Sequence, residues 1–196
     1  MKKSTKQKIG ELLFQVIPVM IGVFLGFLVS SWAESSKNEE KTELFLESLI
    51  AEIETNQTQI EKVYDYHVML KDSVQYHVAQ SYKKDENKSL RKPKFFKGIR
   101  MFPLMDSAYE TGIQTGLING LSLEQIQKIN QVYTLQEFYN GYHDKMMAGF
   151  MSQDPLKDID KMVRFLAISM TDVVLREREL KSQYIELLEE LKKETD

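Results

Sequence analysis

Cysteine is absent from this chain. A disulfide framework, a thiolate zinc site and a cysteine nucleophile are thereby excluded, and so is a lipid anchor carried on cysteine. Proline and glycine are scarce, at 4 and 9 in 196 residues. A sheet protein needs turn residues at each hairpin, so this scarcity argues for helix. The abundant leucine, glutamate, lysine and glutamine are good helix formers. Only 3 histidines are present: His67, His77 and His143. None has a second histidine at i+3 or i+4, and no HExxH occurs, so the spacing of a helical metal site is missing. The stretches GIQTG and GLING lack the lysine and the strand–loop–helix setting of a phosphate loop. Sequence order suggests no Ser-His-Asp arrangement either. The chain is therefore read as non-enzymatic, with no catalytic residue, no cofactor and no metal ligand.

Charge is unevenly spread. The formal net charge is −3, yet residues 1–11 hold Lys2, Lys3, Lys6 and Lys8 against Glu11 alone. Setting those aside from 26 basic and 29 acidic residues leaves 22 and 28, a net of −6. A mildly acidic body speaks against general nucleic-acid binding, which needs clustered positive charge.

From Leu12 to Ala33 no residue is charged. That run spans roughly 33 Å as a helix, enough for a hydrocarbon core of about 30 Å. Lysines precede it, and Glu34, Glu39, Glu40 and Glu43 follow with only Lys37 and Lys41 among them. The positive-inside rule then places residues 1–11 in the cytoplasm as a basic tail, 12–33 across the membrane and 34–196 outside. In a bacterium this is a single-pass inner-membrane protein with a periplasmic domain. Trp32 stands where an interfacial aromatic anchors the helix, and Pro18 is tolerated within it. A cleaved signal peptide is the alternative, because Ser31-Trp32-Ala33 imitates a cleavage site. The apolar run exceeds the usual ~7–15 residues, and an uncleaved anchor is preferred.

Within that run Gly22, Gly26 and Ser30 recur every four residues on one stripe. Small residues let membrane helices approach closely, so the stripe is a candidate contact with a second copy or another protein. Glycine is also common in membrane helices without such a role.

Beyond Trp32 a helical pattern continues to about Ser81, with Leu46, Leu49, Ile53, Ile60, Val63, Val74 and others stepping by three and four. His67 lies in this stripe and is read as a core-edge histidine with a local hydrogen bond. Residues 83–105 form a basic linker. Its 83–100 portion holds eight basic residues, among them Lys92, Lys94 and Lys97, against Asp85 and Glu86. A solvated linker is preferred over a docking loop for an anionic partner.

Asp106 is the expected N-cap of a short helix ending at Gly116. Asn119-Gly120 is a turn, and Ser122 with Gln125 resembles a capping box opening a helix to about Phe150. Gly141 and Gly149 weaken the end of that helix. Asp154-Pro155 starts a last helix running to Lys192. His143-Asp144 beside Tyr139 and Tyr142 could make a polar pocket. Glu189-Glu190 reads as a solvated face. Two clusters are candidate partner contacts as well as candidate core. One is Tyr109, with Ser107, Glu110 and Thr111, where a buried hydroxyl needs a partner. The other is Met146, Met147, Phe150 and Met151, soft side chains suited to either role.

The stretch ELLFQVIPVMIGVFLGFLVSSWAE after a basic start, then FPLMDSAYETGIQTGLI and INQVYTLQEFY, resembles a family of uncharacterised bacterial single-pass membrane proteins. Their helical periplasmic domain is a domain of unknown function. The resemblance covers about residues 10–150. Gln15 and Pro18 depart from that family's more apolar span. It implies a membrane-anchored helical domain and carries over no catalytic residue.

The expected fold is all-α: one transmembrane helix, then an antiparallel bundle of three long helices and one short helix. So thin a core suggests a homo-oligomer or a subunit of a membrane protein complex. The expected function is a scaffold or accessory subunit that binds other cell-envelope proteins. The alternative is a ligand-binding sensor bundle; the short cytoplasmic tail leaves it no output domain, so its signal would pass through a partner in the membrane.

Overall fold

The computed structural model describes residues 5–81, 96–152 and 159–193, with side chains from Val16 onward except Ser81 and Asp160. The described residues are all-helical. α1 is Thr5–Ser81, α2 Ser107–Thr115, α3 Leu123–Met151 and α4 Ile159–Lys192, with a 3₁₀ turn at Leu117–Gly120. The membrane-type segment and the first long charged helix are thus one continuous α1, with Pro18 inside it. The Asp154-Pro155 start, Lys92 and Lys94 lie outside the described residues.

The chain divides into two compact units, Met1–Leu44 and Phe45–Asp196. In the first, every described side chain is exposed apart from partly covered Thr42. Val23 is 70% exposed, Phe27 69% and Trp32 76%. This is a helix long and apolar enough to cross a membrane. Water disfavours such a surface, at about 25 cal/mol per Å² of apolar area.

The second unit owes its core to stepping by three and four. On α1 the buried positions include Leu46, Leu49, Ile53, Asn56, Ile60, Val63, His67, Leu70 and Val74, with Phe45 and Glu52 beside them. On α4 they include Val163, Leu166, Met170, Val173, Glu177, Leu180, Tyr184, Leu187 and Leu191. α3 adds Ile129, Val132, Tyr133, Gln136, Tyr139 and Met146. A 3–4 spacing keeps one stripe facing inward along a helix. Polar pairs join the helices: Lys192 Nζ to Glu54 at 2.6 Å, Lys181 Nζ to Glu61 at 3.7 Å, and Gln75 Nε2 donating to Thr171 at 3.0 Å. Lys128 pairs with Glu124 and Glu190. Glu190 is therefore ion-paired across helices rather than merely solvated.

Helix ends follow local chemistry, with one exception. Gly116 takes φ 74°, a left-handed C-cap that glycine adopts without strain. Ser122 and Gln125 form the capping box reciprocally. The exception is α2. Asp106 makes no side-chain cap bond. Glu52, from α1, accepts instead from Ser107 Oγ and Ala108 N–H, both at 2.8 Å. A buried carboxylate reaching in from another helix replaces the local cap and complements the positive helix start.

α3 runs to Met151, close to the expected end near Phe150, with Gly141 and Gly149 inside it. A Cβ at Gly149 would lie 2.8 Å from Phe165 Cζ, so the glycine admits the α4 aromatic. Gly112 does the same for Phe45, whose Cε2 would lie 2.2 Å from an added Cβ.

The basic linker expected over 83–105 is corrected where it is described. From Phe96 it is a packed segment outside helix and strand, with Ile99, Met101 and Leu104 buried.

Candidate functional site

The most organised polar chemistry surrounds the segment before α2. Asn56 of α1 brackets Met105: its Oδ1 accepts from Met105 N–H at 2.9 Å and its Nδ2 donates to Met105 C=O at 2.7 Å. Asn140 of α3 brackets Leu104 likewise, at 2.9 Å in both directions. Gln136 Nε2 also donates to Met105 C=O at 2.7 Å, and its Oε1 accepts from Tyr184 at 2.6 Å. An amide presents one donor and one acceptor side by side, as a neighbouring β-strand would. Two helices thereby satisfy backbone groups of a segment that lies outside helix and strand.

Further along, Tyr66 donates to Gly98 C=O at 2.6 Å. His67 meets Ile99 C=O through Nε2 at 2.6 Å and Glu177 Oε1 through Nδ1 at 2.7 Å. A carbonyl only accepts, so Nε2 carries a hydrogen. A second proton must lie between Nδ1 and Oε1, because two bare acceptors would repel at that distance. Tyr139 donates to the same Oε1 at 3.0 Å. His67 and Glu177 are both fully buried. Glu177 Oε2 and Arg176 Nε have no hydrogen-bond partner among the described residues. The His67 partners lie 32 and 110 residues away, so its hydrogen bonding is not local.

Near α2, Tyr133 donates to Glu52 Oε1 at 2.7 Å. Its ring stacks on Tyr109, with centroids 4.1 Å apart and planes 9° from parallel. Burial, reinforced by the Glu52 hydrogen bond and charge, pushes the Tyr133 phenol well above its ordinary value. Burial does the same to Tyr139, with Glu177 adding to it, and to Tyr184, with the Glu52 charge adding. These phenols act as fixed hydrogen donors.

The residues singled out from sequence fare differently. Gly22, Gly26 and Ser30 are exposed on α1, and an added Cβ at either glycine would meet nothing within 4 Å. Tyr109 is partly buried, and its hydroxyl donates to Asn130 at 2.8 Å. Met146 is buried, Met147 and Phe150 pack against the core, and Met151 is 78% exposed. Lys97 is exposed; its backbone N–H donates to Tyr66 Oη at 3.0 Å. His143 meets Asp144 at 3.0 Å but not Tyr139, which faces Glu177, nor Tyr142, which faces Asp172 and Ser169. No group of three His, Asp or Glu side chains suited to a metal occurs among the described residues.

Glu52, Asn56, Gln136, Asn140 and Glu177 were not singled out from sequence. A signal existed for two of them. Asn56 and Glu177 occupy apolar-stripe positions, where an isolated polar side chain needs a buried partner.

No protein-family model, curated protein or solved structure matches the chain.

Proposed function

We propose that this chain is a non-enzymatic, membrane-anchored scaffold or accessory subunit of the bacterial cell envelope. Residues 12–33 cross the inner membrane once, with the basic N-terminus in the cytoplasm and the domain from Glu34 in the periplasm. The observation that carries this reading is the exposure of the whole apolar stretch from Val16 to Trp32. Lipid satisfies such a surface, and a helix partner can settle on it. The domain is an antiparallel bundle of three long helices and one short one. The pairs Glu54–Lys192, Glu61–Lys181 and His67–Glu177 support this, because ascending numbers on α1 meet descending numbers on α4. Membership of the resembled single-pass family is part of the same proposal.

Binding of a second copy or another membrane protein runs through Gly22, Gly26 and Ser30. The test is purification of the full chain in mild detergent, with native mass measurement and identification of co-purifying proteins. A stable complex is expected, and G22L/G26L should release the partner because added bulk blocks close approach. A lone monomer carrying a bound small molecule would overturn the scaffold and favour a sensing domain. An unchanged assembly after G22L/G26L would remove the stripe from the interface.

A further inference from the structure

We infer that the buried His67–Glu177 contact is a proton-linked lock: it holds one proton that the domain must release in order to unfold above neutral pH. The proton count comes from geometry. Nε2 donates to Ile99 C=O at 2.6 Å, and Nδ1 lies 2.7 Å from Glu177 Oε1. Both ring nitrogens therefore face acceptors, and one imidazole hydrogen cannot serve both. The second proton sits in the Nδ1–Oε1 contact, whichever of the two atoms carries it. Taking it away would leave two bare acceptors at that distance and a net negative charge between side chains that are both 0% exposed. An unpaired buried charge is among the most costly states a core can hold.

Among the described residues around the pair, none neutralises that charge. From α3, Tyr139 donates to the same Oε1 at 3.0 Å, and burial, with Glu177 adding to it, keeps that phenol protonated. Tyr184 of α4 is held neutral by burial as well. From α1, Tyr66 lies beside the imidazole, with ring centroids 5.7 Å apart, and donates to Gly98 C=O. Arg176, next in sequence to Glu177, lies over the Tyr142 ring at 5.2 Å, and Arg100 lies over the Tyr66 ring at 4.9 Å. The unfolded chain has no such constraint. A free histidine gives up its proton near pH 6.5, and a free glutamate is ionised from about pH 4.3 upward. Above about pH 6.5 the folded state thus carries one more proton than the unfolded state, and stability falls as pH rises. For one proton the fall is about tenfold in the folding constant per pH unit. His67, Glu177, Tyr139 and Ile99 come from α1, α4, α3 and the segment before α2, so one proton governs contacts among four elements.

The experiment is guanidinium unfolding of the full chain in mild detergent, followed by helix ellipticity, from about pH 7 to about pH 8.5. The buried tyrosines stay outside this window, because their stabilisation is lost only above about pH 10. Across it the folding constant of the wild type should fall about 30-fold relative to that of Glu177→Gln, because the amide offers no carboxylate to hold the second proton. Equal pH slopes in the two proteins overturn the proposal, as does a wild type that grows more stable with rising pH. A second test does not depend on the stability of Glu177→Gln. The variant H77Q/H143Q leaves the pair untouched and keeps His67 alone of the chain's 3 histidines. Its folding constant should still fall about tenfold per pH unit. A flat profile in that variant assigns the dependence to the other two histidines and overturns the proposal.

Discussion

Replacing one side of the buried His67–Glu177 contact should have very unequal effects. His67→Gln keeps a donor near the Nε2 position, so the bond to Ile99 C=O can survive. It leaves Glu177 fully buried with no charged partner. Breaking a buried pair in this way costs about 3–5 kcal/mol. Glu177→Gln is milder. His67 Nδ1 and Tyr139 meet the same Glu177 oxygen, so the amide of Gln keeps one of those two bonds and gives up the other. Loss of one neutral hydrogen bond should cost about 1 kcal/mol. The double variant H67Q/E177Q holds no charge and two complementary amides. It should be more stable than His67→Gln alone, by roughly 2 kcal/mol, since the stranded carboxylate is gone. The assay is guanidinium unfolding of the full chain in mild detergent, followed by helix ellipticity. Additivity within about 0.5 kcal/mol would refute the reasoning, because uncoupled sites add to that precision. Equal single effects would refute the expected asymmetry between the two partners.

Three further outcomes follow from the packing. Gly112→Ala should destabilise by about 1–3 kcal/mol because the new methyl overlaps Phe45, and Phe45→Leu should recover part of the loss in the same melts. Glu52→Gln should cost about 1–2 kcal/mol by weakening the cap of α2 and the Tyr133 bond, whereas Asp106→Ala, which caps nothing, should stay within about 0.5 kcal/mol. Tyr133, Tyr139 and Tyr184 have phenols raised in the folded state from the ordinary 10.0. The folded form holds those protons while the unfolded form releases them. Their stabilisation is therefore complete below pH 10 and lost as pH rises above it. Absorbance titration at ~295 nm should show three of the 9 tyrosines ionising only with unfolding.

The helices were legible because their causes are local. The stripes on α1, α3 and α4, the Gly116 stop and the Ser122 capping box each depend on residues within one or two turns. The uncharged run from Leu12 to Ala33 is equally local. What escaped depends on distance. Glu52 caps a helix that begins 55 residues later. His67 finds Glu177 across 110 residues. The packing of 96–105 was hidden by its lysine-rich neighbours, which set the composition of the whole stretch. Gly149 has the composition of a breaker, yet Phe165 of α4 gives it a different purpose.

The buried polar residues also answer a problem that the apolar stripes create. Buried positions on α1 contain the series 46, 49, 53, 56, 60, 63, 67, 70, 74, and those on α4 the series 163, 166, 170, 173, 177, 180, 184, 187, 191, beside Phe45, Glu52, Ser169, Val174 and Leu188. Both patterns repeat every seven residues. Hydrophobic burial alone would tolerate α1 sliding by one repeat, since each apolar position would meet another of its kind. Asn56, His67 and Glu177 remove that freedom. A seven-residue slip would carry His67 away from Glu177 and Ile99, and Asn56 away from Met105. It would strand a buried charge and several backbone groups at about 1–3 kcal/mol for each neutral group. A polar residue in an apolar seam can fix register in this way. Here the same residues also hold 98–105, so the register of α1 and the seating of that segment are one specification.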